Sequence, residues 1–384
     1  MVGRWRRSGR APIRRGPAVP TAADDLLVPI TLELSPIQRL LIIDVADDPS
    51  YRTLEPQVLD GPDRCVLVLL AYRHDGYVEL YVPSGSEVDR SGYDGLGKGL
   101  DGIYPVVFEQ ACFEVADDGL KLDLALAAPN GRRFDLHLHE QLRRPRDRFP
   151  ALAPVGGGFE TPAFFPFVWL PGLSFIPVRR TEVDVRVDEQ ARNVPRLPLP
   201  IGGRRCLMAR YDPDVLVCQV NPDDVEVATR VPVPPEDASQ AVDVEAVEVV
   251  EVVEVVEVET GHGIAALRVG RGGHTCALRF EPPLPDLRAL PVPTRRQGAM
   301  LVQADHTTEL RARYALTRTE DRVEFVIEDV GPWRTRSRRP LLAVLFRLPI
   351  FRRWPTTYRW QATLELDAGP DARLSSRWER SAAQ

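Results

Sequence analysis

The chain predicts a mainly β protein: two antiparallel β-barrel or sandwich domains related by internal duplication, the second one smaller. Three observations carry this expectation. Leu170-Pro171 stands six residues before Pro177 and Leu348-Pro349 six residues before Pro355, so all three positions repeat at an offset of 178 residues. Self-similarity at a long fixed offset points to two copies of one unit. Short runs of alternating apolar and polar residues recur between turn dipeptides, and period two is the signature of a half-buried strand. No segment sustains a long 3.6-residue period; Pro340 to Phe351 is the one candidate for a short amphipathic helix.

Taken in order, residues 1–25 read as a disordered arm, with six arginines and no acid in the first 20 positions. The first β domain spans 26–231. Ile30 to Leu34 alternates, Cys65 to Ala71 is a continuous apolar run, and Tyr77 to Val82 alternates again. Beyond a glycine-rich loop at 92–102 come Val106 to Val115, Leu120 to Leu126 and Phe134 to Glu140. The breaks Asp117-Asp118-Gly119 and Pro129-Asn130-Gly131 are hairpin chemistry, because Asp-Gly and Asn-Gly tolerate positive φ. The pairs Leu310–Leu316 and Val323–Glu328 match the last two strands, and Ala362–Asp367 matches Val183–Asp188. Between the copies, 232–260 reads as a linker: a Pro-rich opening, then glutamates every third residue among valines. Nine acids and no base fall within 236–259, so this run is expected to lack stable packing. The second β domain spans 261–380.

The bulk numbers narrow the function classes. At 384 residues, 44% hydrophobic and 27% charged, the chain can bury sizeable cores. A net charge of -6 gives no case for nucleic acid. Five widely spaced cysteines without a C-x-x-C pair read as reduced thiols in a cytoplasmic protein. The apolar stretches are too short, or too broken by proline and arginine, to span a bilayer.

Several motifs invite chemistry. Gly92 to Lys98 satisfies G-x-x-x-x-G-K, but Gly99 takes the Ser/Thr position and a strand, not a helix, follows, so no nucleotide site is expected. The loop instead offers Tyr93, Asp94 and Lys98 to a ligand at a barrel mouth. Asp135, His137 and His139 alternate on one face of a strand, and two histidines at that spacing can bind a metal. The matching strand carries Glu324, Val326 and Glu328 instead, and no third ligand stands at a known spacing, so neither metal nor cofactor is expected. The Leu-Pro segments are the most apolar stretches of their halves, Phe164 to Leu170 with Trp169 and Leu341 to Phe346. Arginine flanks the second: Arg334, Arg336, Arg338, Arg339, Arg352 and Arg353. Two readings stand open. Each segment plugs its barrel, or it forms a docking surface in which arginines meet an anionic headgroup.

Two successive antiparallel β domains, the second truncated, resemble the tandem lipocalin-like proteins that include the carotenoid hydratase family. The resemblance covers residues 29–380 in layout and transfers no functional motif. It implies a cavity for a hydrophobic ligand. The reading that follows is a binding or carrier protein for a hydrophobic or amphiphilic small molecule (a lipid, polyprenoid or pigment), with Tyr93, Asp94, Lys98, Glu109, Glu160 and Trp169 as ligand-binding residues. The protein is expected in the cytoplasm, with peripheral membrane contact through the arginines. One alternative is a cofactor-free hydratase or isomerase using a buried carboxylate of raised pKa, with Glu109, Glu140 and Glu160 as candidates. Another is a non-catalytic structural or interaction module.

Overall fold

The computed structural model describes residues 26–61, 65–86, 88, 90, 93, 96–143, 148–152, 164–221, 229–231, 255–259, 263–305, 307–330, 356–366 and 372–382. Its elements are strands throughout. The first half holds β1 (Leu26–Val28), β2 (Leu32–Leu34), β3 (Ile37–Asp44), β4 (Tyr51–Leu59), β5 (Val66–Arg73), β6 (Val78–Pro83), β7 (Leu100–Ala116) and β8 (Gly119–Ala127). There follow β9 (Arg133–Glu140), β10 (Phe149–Leu152), β11 (Phe165–Pro177), β12 (Thr181–Val187), β13 (Gln190–Ala191), β14 (Cys206–Asp212), β15 (Leu216–Val220) and β16 (Thr229–Val231). The second half holds β17 (Val255–Glu259), β18 (Gly263–Arg271), β19 (His274–Pro285), β20 (Thr294–Ala304), β21 (Thr307–Thr319), β22 (Arg322–Val330), β23 (Thr356–Glu365) and β24 (Arg373–Ala382). No helix among the described residues is long and apolar enough to cross a membrane.

Turn chemistry explains the hairpins. On β9, Phe134, Leu136 and Leu138 are fully buried while Asp135, His137 and His139 are half-buried on the other face. Asp117-Asp118 turns β7 into β8, and Gly119 is needed there because a Cβ would stand 1.8 Å from the Glu140 carbonyl oxygen. Gly131, at φ 83°, closes the β8–β9 turn in the conformation that glycine adopts at least cost.

The large sheet has fourteen strands, ordered β13-β12-β9-β8-β7-β6-β5-β4-β3-β14-β11-β15-β2, with β10 added beside β11. One pairing departs from the antiparallel expectation: β6 and β7 run parallel, from Val78↔Leu100 to Pro83↔Val106. The long glycine-rich connection between them carries the chain back to the starting end, which a tight hairpin turn does not do. The second sheet is an eight-stranded antiparallel meander from β17 to β24. It begins earlier than the sequence indicates. Val255–Glu259, the end of the segment read as linker, pairs with β18 from Val255↔Arg268 to Glu259↔Gly263. The β preference of valine outweighs the like charges there. The rest of that segment, the arm at 1–25, and Arg334 to Arg353 with Leu341 to Phe351 all lie outside the described residues.

The meanders share a pairing order, β7-β8-β9-β12-β13 in one half and β20-β21-β22-β23-β24 in the other. Each has a buried cross-strand row: Leu124, Leu136 and Val185 in the first, Leu316, Phe325 and Ala362 in the second.

The cores do not respect the domain boundary. The inward residues of β18 to β24 form one cluster with Leu26, Leu27, Val28, Ile30 and Leu32 from the N-terminal strands and with Phe164, Phe165, Phe167 and Trp169. The smaller sheet therefore curls as a half-barrel around side chains of the other half. The large sheet closes over a separate core containing Tyr51, Tyr81, Phe134, Leu136 and Tyr211.

Candidate functional site

β11 carries the junction between the halves. Its alternation sends Phe165, Phe167 and Trp169 into the half-barrel core, and Val168 and Leu170 into a second cluster with Phe149, Phe175 and Val215. A strand apolar on both faces must lie between two packed layers, and this one does. Phe165 meets Tyr358 and Trp378 with ring centroids 5.5 and 5.6 Å apart. The Trp378 indole donates to the carbonyl oxygens of Val220 and Asn221. At one edge, Arg271 donates to the carbonyls of Ile37 and Ser35, 2.7 Å each, which ties β18 to the strands of the first half.

A polar cluster sits where β11 passes the half-barrel. The Trp169 indole donates to Asp305 Oδ2 at 3.0 Å, and that oxygen also pairs with His274 Nδ1 at 2.9 Å. The Thr275 N–H donates to the other oxygen. Burial pulls the Asp305 pKa up, but these three donors outweigh it and hold the carboxyl below its usual range. Asp212 is different. It is fully buried, accepts the backbone N–H groups of Gly172 and Asp214, and burial outweighs both, pushing its pKa up to about 6. Sequence reasoning passed over Asp212, since nothing local distinguishes it from the acids of exposed turns.

Among the described residues, those singled out from sequence stand apart from one another. Tyr93 is buried among Val68, Leu70, Val78 and Leu80, and burial raises its pKa. Lys98 is exposed and lays its stem against Gly76. Trp169 lies in the shared core, on a different core cluster from Tyr93. Glu109 is exposed and paired bidentately with Arg133 at 2.8 and 2.9 Å; that pairing lowers its pKa, the opposite of what a general acid needs. Glu140 is buried and accepts the Leu120 N–H. Asp94, Glu160 and the six arginines from Arg334 to Arg353 lie outside the described residues.

On the outer face of the large sheet, the two histidines gain a partner that spacing along the chain does not reveal. Register sets Asp123 of β8 directly opposite His137. Asp123 Oδ1 lies 2.6 Å from His137 Nδ1 and 2.9 Å from His139 Nε2, and the imidazole centroids are 3.9 Å apart. Burial raises the Asp123 pKa, the hydrogen bonds from His139 and His137 lower it more, and the net shift is downward. Asp135, the acid that shares their face of β9, stands two residues before His137, opposite Ala125 and Arg186.

No known protein family, curated protein or solved structure matches the chain.

Proposed function

We propose that the protein is a non-catalytic interaction module, one all-β body that presents its outer faces and charged segments to partners. What supports this reading is the filled half-barrel: Phe165, Phe167 and Trp169 stand where a lipocalin-type carrier would hold its ligand. A carrier would have to expel this plug, and withdrawing a buried large aromatic costs about 3–5 kcal/mol. The hydratase alternative needs a carboxylate that substrate can reach. Asp212 has the raised pKa, but it is wholly buried and each oxygen accepts a backbone N–H. Recognition chemistry is present in the sequence: six arginines and no acid in residues 1–20 suit an acidic partner, and nine acids without a base in 236–259 suit a basic one. The matched pairing orders of the two meanders support descent from one duplicated unit, which is part of the same proposal.

The test is native mass spectrometry of the purified chain after incubation with a mixed lipid extract. The module reading expects the mass of the protein alone. One lipid retained per chain, and held more tightly by Phe165→Ala than by wild type, would reinstate the carrier.

A further inference from the structure

The outer face of β8, β9 and β12 carries an arrangement that a structural ion pair does not require. Three potential ligand atoms, from Asp123, His137 and His139, lie within 4.8 Å of one another. Both imidazoles direct a nitrogen at a single oxygen, Asp123 Oδ1, rather than each taking its own acceptor. Around a tetrahedral ion with bonds of about 2.0–2.1 Å, donor atoms stand about 3.3 Å apart. The present separations of 2.6 and 2.9 Å are shorter by roughly 0.7 and 0.4 Å, so side-chain rotations of that size would open the space for an ion.

The surroundings match what such a site needs. The far ring nitrogen of His137, Nε2, lies 4.0 Å from Glu182 Oε2 on β12. Ligating histidines commonly pass their second N–H to a carboxylate, which fixes the tautomer and raises ligand basicity. On the reverse side of β9, Phe134, Leu136 and Leu138 are fully buried, so the strand that presents both histidines is held rigidly. Cys112 of β7 stands opposite Asp123 in register and is half-buried, but the close group of ligand atoms is formed by Asp123, His137 and His139 alone among the described residues. Imidazole nitrogens with one carboxylate oxygen select zinc-type ions over magnesium and calcium, which prefer all-oxygen shells.

We propose that Asp123, His137 and His139 form a site for a zinc-type divalent transition ion, supported by Glu182 and open to solvent at its fourth position. It is a property of the first half alone. The corresponding strand of the second half, β22, carries Glu324, Val326 and Glu328, with no imidazole. The site does not depend on the interaction-module reading, because its ligands all lie on the outer face of the large sheet.

The experiment is calorimetric Zn2+ titration of the untagged full-length chain after chelator treatment, with Co2+ titration followed by visible absorption. Wild type is expected to take up one ion per chain, and Co2+ to give the intense visible bands of a tetrahedral site. His139→Ala and Asp123→Ala should weaken binding by about 100-fold or more and Glu182→Gln by about 10-fold, while Asp135→Asn should bind as wild type does. Far-UV circular dichroism identifies any variant that misfolds, and His139→Gln replaces the alanine variant in that event. No saturable uptake by wild type, or undiminished uptake by a His137→Ala/His139→Ala double variant, overturns the proposal.

Discussion

Trp169 joins the halves through its bond to Asp305, whereas Asp212 is held within the first half by the Gly172 and Asp214 N–H groups. Burial raises the Asp212 pKa from an ordinary 3.8 to about 6. A group whose folded pKa is raised contributes stability that is fully present below its unfolded pKa and lost as pH rises through the folded one. Stability should therefore fall between about pH 4 and pH 6, by about 3 kcal/mol from this residue. Glu55, buried and likewise raised, acts in the same direction. Denaturant unfolding at pH 4 and pH 7 checks this: Asp212→Asn should lose most of the difference, and an unchanged slope would clear Asp212 of the effect. Trp169→Phe removes the bond to Asp305 and also shrinks a buried ring, so it should cost at least about 1.5–3 kcal/mol, measured in the same way. Of these residues, the sequence marks Trp169 through its apolar run but not its partner, because Asp305 is 136 residues away. The shared face of His137 and His139 is legible from alternation alone. The third group is not, since Asp123 reaches them only through the register of β8 on β9.

Among the elements, β11 matters most. Phe165 is fully buried on the face that meets the half-barrel. Phe165→Ala should lower stability by about 3–5 kcal/mol, the range for emptying a large aromatic site. Thermal unfolding monitored by far-UV circular dichroism reads this out, and a loss under about 1 kcal/mol would mean that the site collapses or is less tightly packed. Gly119→Ala should also destabilise, because its Cβ would overlap the Glu140 carbonyl; a Tm equal to wild type would show that the β7–β8 turn can move aside. Strands bounded by Asp-Gly and Asn-Gly are legible in the sequence, and β8 and β9 fall where the turn residues put them. Two elements are hidden. β17 shows a period of three, which matches neither template, yet its backbone pairs as a strand. The parallel β6–β7 pairing follows from a long connection whose direction composition does not encode.

For the whole molecule, the repeat in the sequence indicates two similar meanders but suggests that each folds over its own interior. Both meanders carry a buried cross-strand row, through Leu136 in one and Phe325 in the other. The interior differs from that expectation, because β1, β2, β11 and β15 of the first half fill the concave face of the second. A plug supplied from elsewhere in the chain leaves no local trace: Phe164 to Trp169 is equally apolar whichever sheet it enters. Sharing one core should also make the halves unfold together, since neither can expose its side of the cluster without exposing the other. Differential scanning calorimetry of the full-length chain tests this most directly. The shared core predicts a single transition whose calorimetric and van't Hoff enthalpies agree. Two resolved transitions, with the half-barrel melting independently of the large sheet, would contradict it.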